Sequence, residues 1–225
     1  MKYEIMGGNL PAVICTLTKG EKIVCEGGGM SWMDDVFTME TSGGGLKKMF
    51  GKAFSGESMF QNTYTAKADG EIAFASSFPG EIIAVEVGAG RSIIAQKKAF
   101  LASESSVEMS VFFQKKVAGG FFGGEGFIME KFSGSGIVFL EVDGSIKEYT
   151  LAAGERKILD TGHLVMMDET CSLDVVSVKG IKNKLLGGEG LFNTVITGPG
   201  KIVVQTMPIA KTAELIADLL PNLSN

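Results

Sequence analysis

The sequence has few histidines and cysteines, which are common in catalytic and metal-binding sites. Its 225 residues include one histidine, His163, and three cysteines, Cys15, Cys25 and Cys171, with no C-x-x-C pair. A zinc site built from histidine and cysteine needs ligands at short spacings, which this set does not offer. Nucleophile elbows, HExxH motifs and dinucleotide fingerprints are missing as well. The cysteines are therefore expected to be buried thiols, and His163 to be structural.

Long apolar runs are also missing. No stretch of about 20 consecutive apolar residues occurs, so no transmembrane helix is expected. The first ten residues, MKYEIMGGNL, lack the apolar segment of a signal peptide. A cytoplasmic location is the resulting expectation.

Short β-type runs dominate what is present, and each is bounded by Gly, Pro, Asp or Ser. The runs lie at Ala12–Leu17, Ile72–Ala75, Glu81–Val87, Ser110–Phe113, Gly136–Val142, Leu173–Val178 and Ile202–Thr206. Asp69-Gly70 and Asp143-Gly144 are predicted to be hairpin-type turns. Apolar residues at 213, 216, 217 and 220, followed by Pro221, predict one short helix at the C-terminal end. The pattern indicates an all-β protein with a sandwich or barrel-like architecture.

A glycine-rich motif occurs three times. Residues 53–60 read AFSGESMF, residues 121–128 read FFGGEGFI, and residues 185–192 read LLGGEGLF. Their glutamates, Glu57, Glu125 and Glu189, follow one another at nearly equal intervals. A phosphate-binding loop is an alternative reading, but it is normally needed once per site and its lysine is absent here. We interpret the motif as a structural turn, marked by Gly56, Glu57, Gly124, Glu125, Gly126, Gly188, Glu189 and Gly190.

Two further landmarks recur in the same order. One is a glycine before a strand-like run, at Gly20, Gly90 and Gly154; the other is Gly70, Gly136 and Gly200. Three landmarks at a nearly constant period predict three tandem units, at residues 1–78, 79–144 and 145–209, followed by a helix and tail at 210–225. A period near 65 is too long for a solenoid repeat, so each unit should be a small domain.

Lysines also recur at fixed distances from the motif glutamates. The recurring positions are Lys47 and Lys48, Lys115 and Lys116, and Lys179, and Lys182 and Lys184 lie close behind Lys179. Equivalent positions around an assembly could attract a nucleic-acid backbone or an anionic surface. The alternative is a solvated face that pairs with the motif glutamates. The net charge of −5 and the lack of a repeated aromatic beside each lysine pair argue against tight nucleic-acid binding.

Asp34 and Asp35, beside Trp32, form the remaining candidate for chemistry. They could bind a cation, although hard cations are usually coordinated by more oxygen ligands than two carboxylates provide. An enzyme that uses His163 or this acidic pair therefore stays an alternative to a protein without catalytic activity. We expect no enzymatic activity, no cofactor and no bound metal.

The repeated motif resembles a known family. Lys179 followed by Leu185-Leu186-Gly187-Gly188-Glu189-Gly190-Leu191-Phe192, with the later Gly200 strand and Gln205-Thr206, resembles the altered-inheritance-of-mitochondria (mitochondrial biogenesis) family over essentially the whole chain. The first copy departs from the pattern at Ser55 and Ser58. The missing mitochondrial-type leader favours a bacterial member of unknown function.

The resemblance implies a fold similar to the trp RNA-binding attenuation protein (TRAP-like), with three double-stranded β-helix units per chain. It also implies a homotrimer in which nine units close a ring. The family brings no established catalytic residues. Independently, a unit with strands exposed at both ends needs edge protection, which pairing with the next unit would provide. We therefore expect a scaffold or binding platform that associates with itself; any other protein partner is unknown.

Overall fold

The computed structural model describes residues 1–42, 61–115, 126–177 and 192–219. The strands of this part of the chain are β1 (Lys2–Met6), β2 (Ala12–Leu17), β3 (Lys22–Glu26), β4 (Trp32–Met33), β5 (Phe37–Ser42), β6 (Gln61–Ala66), β7 (Gly70–Ala75), β8 (Gly80–Val87), β9 (Ile93–Gln96), β10 (Phe100–Glu104), β11 (Val107–Lys115), β12 (Phe127–Gly134), β13 (Gly136–Asp143), β14 (Ile146–Leu151), β15 (Arg156–Asp160), β16 (Leu164–Asp168), β17 (Ser172–Ser177), β18 (Phe192–Thr197) and β19 (Gly200–Gln205). Two 3-10 turns, Lys97–Ala99 and Thr161–His163, and one helix, α1 (Ile209–Leu219), complete the fold.

The all-β prediction with one short C-terminal helix is confirmed. Each of the seven predicted runs overlaps one strand, and the run at Ala12–Leu17 coincides with β2. The helix predicted from residue 210 begins at Ile209, whose N–H donates to Asp143 Oδ2 at 2.7 Å. Within the described ranges, no helix is long and apolar enough to cross a membrane.

The strands form four sheets, which we number in chain order. Sheet 1 has the order β1-β2-β7-β4, and sheet 2 has the order β5-β6-β3-β10-β13-β8. Sheet 3 has the order β11-β12-β9-β16-β19-β14, and sheet 4 has the order β15-β18-β17. The pairings with a resolved register are antiparallel.

The chain divides into two compact units. Unit 1 comprises residues 1–92, 97–110 and 132–142, and it holds sheets 1 and 2. Its core packs alternate residues of β2 and β3, including Val13, Cys15 and Ile23, against Phe74 and Phe139. This alternation is the pattern of strands with one buried face.

Unit 2 comprises residues 93–96, 111–131 and 143–225, and it holds most of sheet 3 and all of sheet 4. Phe127, Met129, Leu164, Ile196 and Ile202 lie in its core, with none of these side chains exposed. The boundaries of three homologous units at 1–78, 79–144 and 145–209 remain a prediction, since compactness and sequence repetition are different properties.

Strand registers recur along the chain at the spacing of the sequence landmarks. In sheet 2, β10 pairs with β13 as Phe100 to Leu140 and, after a bulge, Ala102 to Phe139. In sheet 3, β16 pairs with β19 as Leu164 to Val204 and, after a bulge, Met166 to Val203. Each residue of the β16–β19 pairing follows its counterpart in the β10–β13 pairing by the same number of positions, and the bulge occurs at the same place in both.

The two Asp-Gly turns do not form hairpins, so that prediction is wrong. Asp69-Gly70 lies between β6 of sheet 2 and β7 of sheet 1, and Asp143-Gly144 lies between β13 of sheet 2 and β14 of sheet 3. Gly144 does adopt a positive φ of 77°. The chain bends at both dipeptides, but the strands on either side pair with other partners.

Most of the glycine-rich motif lies outside the described residues. This applies to Gly56, Glu57, Gly124, Glu125, Gly188, Glu189 and Gly190. Gly126 is described and has a φ of 84°, in the region that glycine adopts at low cost. The three copies fall, in sequence, between β5 and β6, β11 and β12, and β17 and β18, each a pair of neighbouring strands.

Candidate functional site

His163 ends a 3-10 turn and is held by a backbone contact. Its Nδ1 lies 2.7 Å from the carbonyl oxygen of Gln205, so this nitrogen donates and carries the proton. The Gln205 side chain accepts from the Asp143 N–H at 2.8 Å and donates to the Gly162 carbonyl at 2.9 Å. His163 is thus joined to a network of structural hydrogen bonds around β19.

Asp34 is also engaged in a structural contact. Its Oδ2 accepts from the N–H of Glu71 at 2.8 Å, and its own N–H donates to the Glu71 carbonyl at 2.9 Å. Asp35 is exposed. Among the described residues, no group of three or more His, Cys, Asp or Glu side chains is arranged to hold a metal ion.

The contact of Asp34 recurs twice. Glu104 Oε2 accepts from the N–H of Ile137 at 3.0 Å, and Asp168 Oδ2 accepts from the N–H of Lys201 at 2.8 Å. In each case the donor follows the glycine that opens a strand: Gly70, Gly136 or Gly200. We call these three contacts the carboxylate brackets. Asp34 therefore occupies the position of a repeated fold element.

A second contact recurs between neighbouring blocks of sequence. Glu141 Oε2 accepts from the N–H of Ser77 at 2.7 Å, and Gln205 Oε1 accepts from the N–H of Asp143 at 2.8 Å. Gln205 follows Glu141 by the same offset as Val204 follows Leu140. An equivalent backbone contact is thus made by a carboxylate in one place and by an amide in the other.

Replacing Glu141 with alanine is expected to lower the free energy of unfolding by about 1.5–3 kcal/mol, the usual effect of losing a hydrogen bond to a charged group. Ser77 would lose its N–H acceptor, and the Ser77 hydroxyl would lose contacts of 3.0 Å to both carboxylate oxygens. Urea unfolding at pH 7 measures the effect. Glu141→Gln is the matched control, since the amide at Gln205 already makes the equivalent bond. An equal loss in both variants would contradict the assignment.

The lysines predicted as a basic array lie largely outside the described residues. Lys47, Lys48, Lys116, Lys179, Lys182 and Lys184 are all in those segments. Lys115 is the last residue of β11. Whether the array forms stays a prediction.

Apolar side chains are exposed on β4, a terminal strand of sheet 1, and on β15, a terminal strand of sheet 4. On β4, Trp32 is 49% exposed and Met33 is 38% exposed. On β15, Ile158 is 64% exposed. Both strands are terminal in their sheets, so one side of each backbone lies next to no other strand of the described residues. Sequence reasoning missed Trp32 and Ile158 because a short strand such as β4 gives almost no alternation to read.

Charged groups of opposite sign accompany these edges. Asp34 directly follows β4, and Lys157 lies on β15, where its Nζ is 3.9 Å from the centre of the Tyr149 ring. Such an ammonium–ring contact is attractive and directs the lysine toward the Tyr149 ring on β14. The β4 edge therefore carries a carboxylate and the β15 edge an ammonium.

The three cysteines are free and buried, as predicted. Burial raises the pKa of Cys15 to about 12, with the Glu104 carboxylate adding to the effect. Burial also raises the pKa of Cys25 to about 11, helped by Glu26. Cys15 and Cys25 lie on β2 and β3, which belong to different sheets. Their thiols are in the protonated, unreactive form near neutral pH.

Comparison with known proteins identifies the family. A family model described as Mitochondrial biogenesis AIM24 matches residues 3–207. The chain belongs to this family. An uncharacterized protein of Streptococcus pyogenes serotype M6 is 31% identical over 225 residues, covering 96% of this chain and 89% of the relative.

A solved structure has the same fold as this AIM24-family chain. It is the X-ray crystal structure of a protein from Streptococcus pyogenes, with a TM-score of 0.79 and 26% sequence identity. The match covers 97% of this chain and 99% of the other. Both relatives are bacterial, in keeping with the resemblance to a bacterial member of unknown function.

Proposed function

We propose that this AIM24-family protein is a non-enzymatic binding platform that assembles from copies of itself into a ring-shaped homotrimer. The observation that carries the proposal is that β4 and β15, two terminal strands of the described part of the chain, expose Trp32, Met33 and Ile158. Exposed edges with apolar side chains are templates for pairing with another chain. A second copy of this chain is always available as that partner.

The roles of the polar candidates support a structural protein. His163 donates to the Gln205 carbonyl, and Asp34 forms one of the three carboxylate brackets. Each of these side chains is accounted for by a backbone contact that fixes the fold. The enzyme alternative would need one of them to be aimed at a substrate instead.

The recurring contacts support three homologous units in each chain. The carboxylate brackets occur three times, and the bulged pairing of β10 with β13 is repeated by β16 with β19. Gly20, Gly90 and Gly154 have φ values of 90°, 84° and 77° at the corresponding turns. Three units per chain and three chains per ring would give the nine units that the family resemblance implies.

The platform should be a trimer in solution. Light scattering coupled to size-exclusion chromatography is expected to give three times the chain mass of 23.8 kDa. Dilution to the micromolar range should leave this mass unchanged, because each copy in a closed ring is held by two neighbours. A monomer at working concentration would contradict the platform proposal. A closed ring with another number of subunits would retain self-assembly but correct the stoichiometry.

A further inference from the structure

The two six-stranded sheets share one construction. Each joins a block of three strands to a second block of three. In sheet 2 the blocks are β5-β6-β3 and β10-β13-β8, and in sheet 3 they are β11-β12-β9 and β16-β19-β14. The junction strands are β3 with β10 and β9 with β16. We call β5-β6-β3 and β11-β12-β9 the B blocks, and β10-β13-β8 and β16-β19-β14 the A blocks.

Sheets 1 and 4 each contain one such block without the other. In sheet 4, β15 pairs with β18 as Arg156 to Thr197, and in sheet 2, β3 pairs with β6 as Lys22 to Thr65. Arg156 follows Lys22, and Thr197 follows Thr65, by nearly the same offset, which is close to twice the repeat period. Sheet 4, with the order β17-β18-β15, therefore matches a B block.

Sheet 1 matches an A block by the same test. In sheet 1, β4 pairs with β7 as Trp32 to Ala73, and in sheet 2, β10 pairs with β13 as Ala102 to Phe139. Ala102 follows Trp32, and Phe139 follows Ala73, by close to one repeat period. The block β4-β7-β2 therefore ends at β4. The equivalent strands in sheets 2 and 3, β10 and β16, form the junctions with a B block.

The internal junctions fix how a B block meets an A block. In sheet 2, Cys25 pairs with Ala102, Val24 with Ser103 and Ile23 with Glu104. In sheet 3, Ala95 pairs with Met166, Ile94 with Met167 and Ile93 with Asp168. From β3 to β9, each paired residue is shifted by the number of positions that separates Gly20 from Gly90. From β10 to β16, each is shifted by the number of positions that separates Gly90 from Gly154. The junction therefore has a constant register.

We propose that β15 of one copy pairs antiparallel with β4 of a second copy in this same register. The positions on β10 are shifted back by one repeat to β4, and the positions on β9 are shifted forward by one repeat to β15. Trp32 then lies opposite the partner's Leu159, Met33 opposite the partner's Ile158 and Asp34 opposite the partner's Lys157. The new sheet is a B block followed by an A block, like sheets 2 and 3. The inference rests on the proposed self-assembly and gives that assembly its interface.

Burial at the equivalent positions supports this pairing. Ala102 and Ser103, which correspond to Trp32 and Met33, are 0% and 1% exposed inside sheet 2. Val24 and Ile94, which correspond to Ile158, are half-buried and buried. Among the described residues, these positions carry exposed apolar side chains only at β4 and β15, which have no junction partner in that part of the chain. The pair of Asp34 with the partner's Lys157 also has opposite charges, which favours the contact.

The two edges differ from one another, so the contact is head-to-tail. A head-to-tail contact between identical chains forms a ring when the rotation closes and a filament when it does not. Each copy would use its β4 edge toward one neighbour and its β15 edge toward the other. One interface thus accounts for the exposed apolar residues of both β4 and β15.

Disulfide cross-linking tests the register. Opposite residues in an antiparallel pair have Cα atoms about 4.5–5.5 Å apart, which falls in the range that a disulfide bridges. The double variant Met33→Cys with Ile158→Cys is expected to form covalent multimers under mild oxidation, seen on non-reducing gels. Met33→Cys with Arg156→Cys is the matched control, shifted by two positions on the same face, and should cross-link about tenfold less. The native thiols are buried and do not compete.

A second variant tests the interface without chemistry. Ile158→Lys is expected to reduce the mass by light scattering toward 23.8 kDa, since it places a charge in the new sheet. Val176→Lys is the control: Val176 is 43% exposed on β17, at the opposite edge of sheet 4, and its replacement should leave the mass unchanged. Both positions are exposed in the single chain, so the fold should survive.

The outcomes separate this inference from the proposed function. A multimer whose cross-links are as strong in the shifted control, and whose mass resists Ile158→Lys, would overturn the register and leave self-assembly standing. A monomeric wild-type protein would overturn both. Specific cross-linking at 33 and 158, with dissociation by Ile158→Lys alone, would support the head-to-tail junction.

Discussion

Replacing Gly134 with alanine is expected to lower the free energy of unfolding by about 3 kcal/mol or more, because two separate costs add. Gly134 has a φ of 89°, a conformation that costs an L-residue about 1–2 kcal/mol. A Cβ there would also lie 2.4 Å from the Ser106 carbonyl oxygen, which already accepts the Ser135 N–H at 3.3 Å. Backbone must move to relieve this overlap, so the turn between β12 and β13 would be disrupted.

Gly90→Ala provides the control for backbone strain alone. Gly90 has a φ of 84°, close to that of Gly134, but an added Cβ would meet nothing within 4 Å. Its replacement should cost about 1 kcal/mol. Denaturant unfolding of both variants at pH 7 measures the difference. Equal destabilisation would show that the carbonyl of Ser106 moves aside without cost, and the crowding argument would fail.

Much of the fold could be predicted because its strands obey local rules. The Ala12–Leu17 run alternates between core and surface, and its bounds coincide with β2. The C-terminal helix was marked by apolar spacing and a following proline, and α1 begins within one residue of the expected start. These signals depend only on neighbouring residues, so one sequence carries them in full.

The pairing of strands could not be predicted, because it depends on distant partners. Asp69-Gly70 and Asp143-Gly144 have the composition of hairpin turns, yet the flanking strands belong to different sheets. The choice is made by long-range pairs such as Ala102 with Cys25. The residues around each turn do not determine which strand the following strand pairs with.

The sequence predicted that the protein would associate through its strand edges, but not which residues form those edges. The need for edge protection followed from tandem units with exposed ends, whereas the glycine motif and the lysines directed attention to other segments. Trp32 and Ile158 become visible as edge residues only when their repeat-equivalents, Ala102 and Ile94, are seen paired in the sheets. The repeat offsets alone align these positions, but the sequence does not show that they face one another across a junction.

Alkaline pH is expected to destabilise the protein steeply through Cys15 and Cys25. Both thiols are fully buried, and their pKa values are raised to about 12 and about 11, mainly by loss of hydration. An ordinary thiol has a pKa of about 8.5, so the unfolded chain releases these protons first. A raised native pKa gives stability that is complete below about pH 8.5 and is lost as pH rises toward the native values. Each thiol should contribute about 1.4 kcal/mol per pH unit, or about 3 kcal/mol per unit for the pair between about pH 9 and 11.

Urea unfolding at half-unit steps from pH 8 to pH 10.5 measures this dependence. The double variant Cys15→Ala with Cys25→Ala should be less stable at pH 8, because it leaves cavities, but its stability should fall with pH by about 3 kcal/mol per unit less than wild type. Cys171→Ala is the control: burial raises the pKa of Cys171 as well, but by less than for the other two thiols, so its removal should change the slope less. Tyr64 is present in every variant, and its pKa is raised by burial and by the charge of the Cys25 thiolate, so the double variant also loses the part of this shift that comes from Cys25. An unchanged slope in the double variant would show that the alkaline loss arises from other groups and that these thiols ionise while the chain is folded.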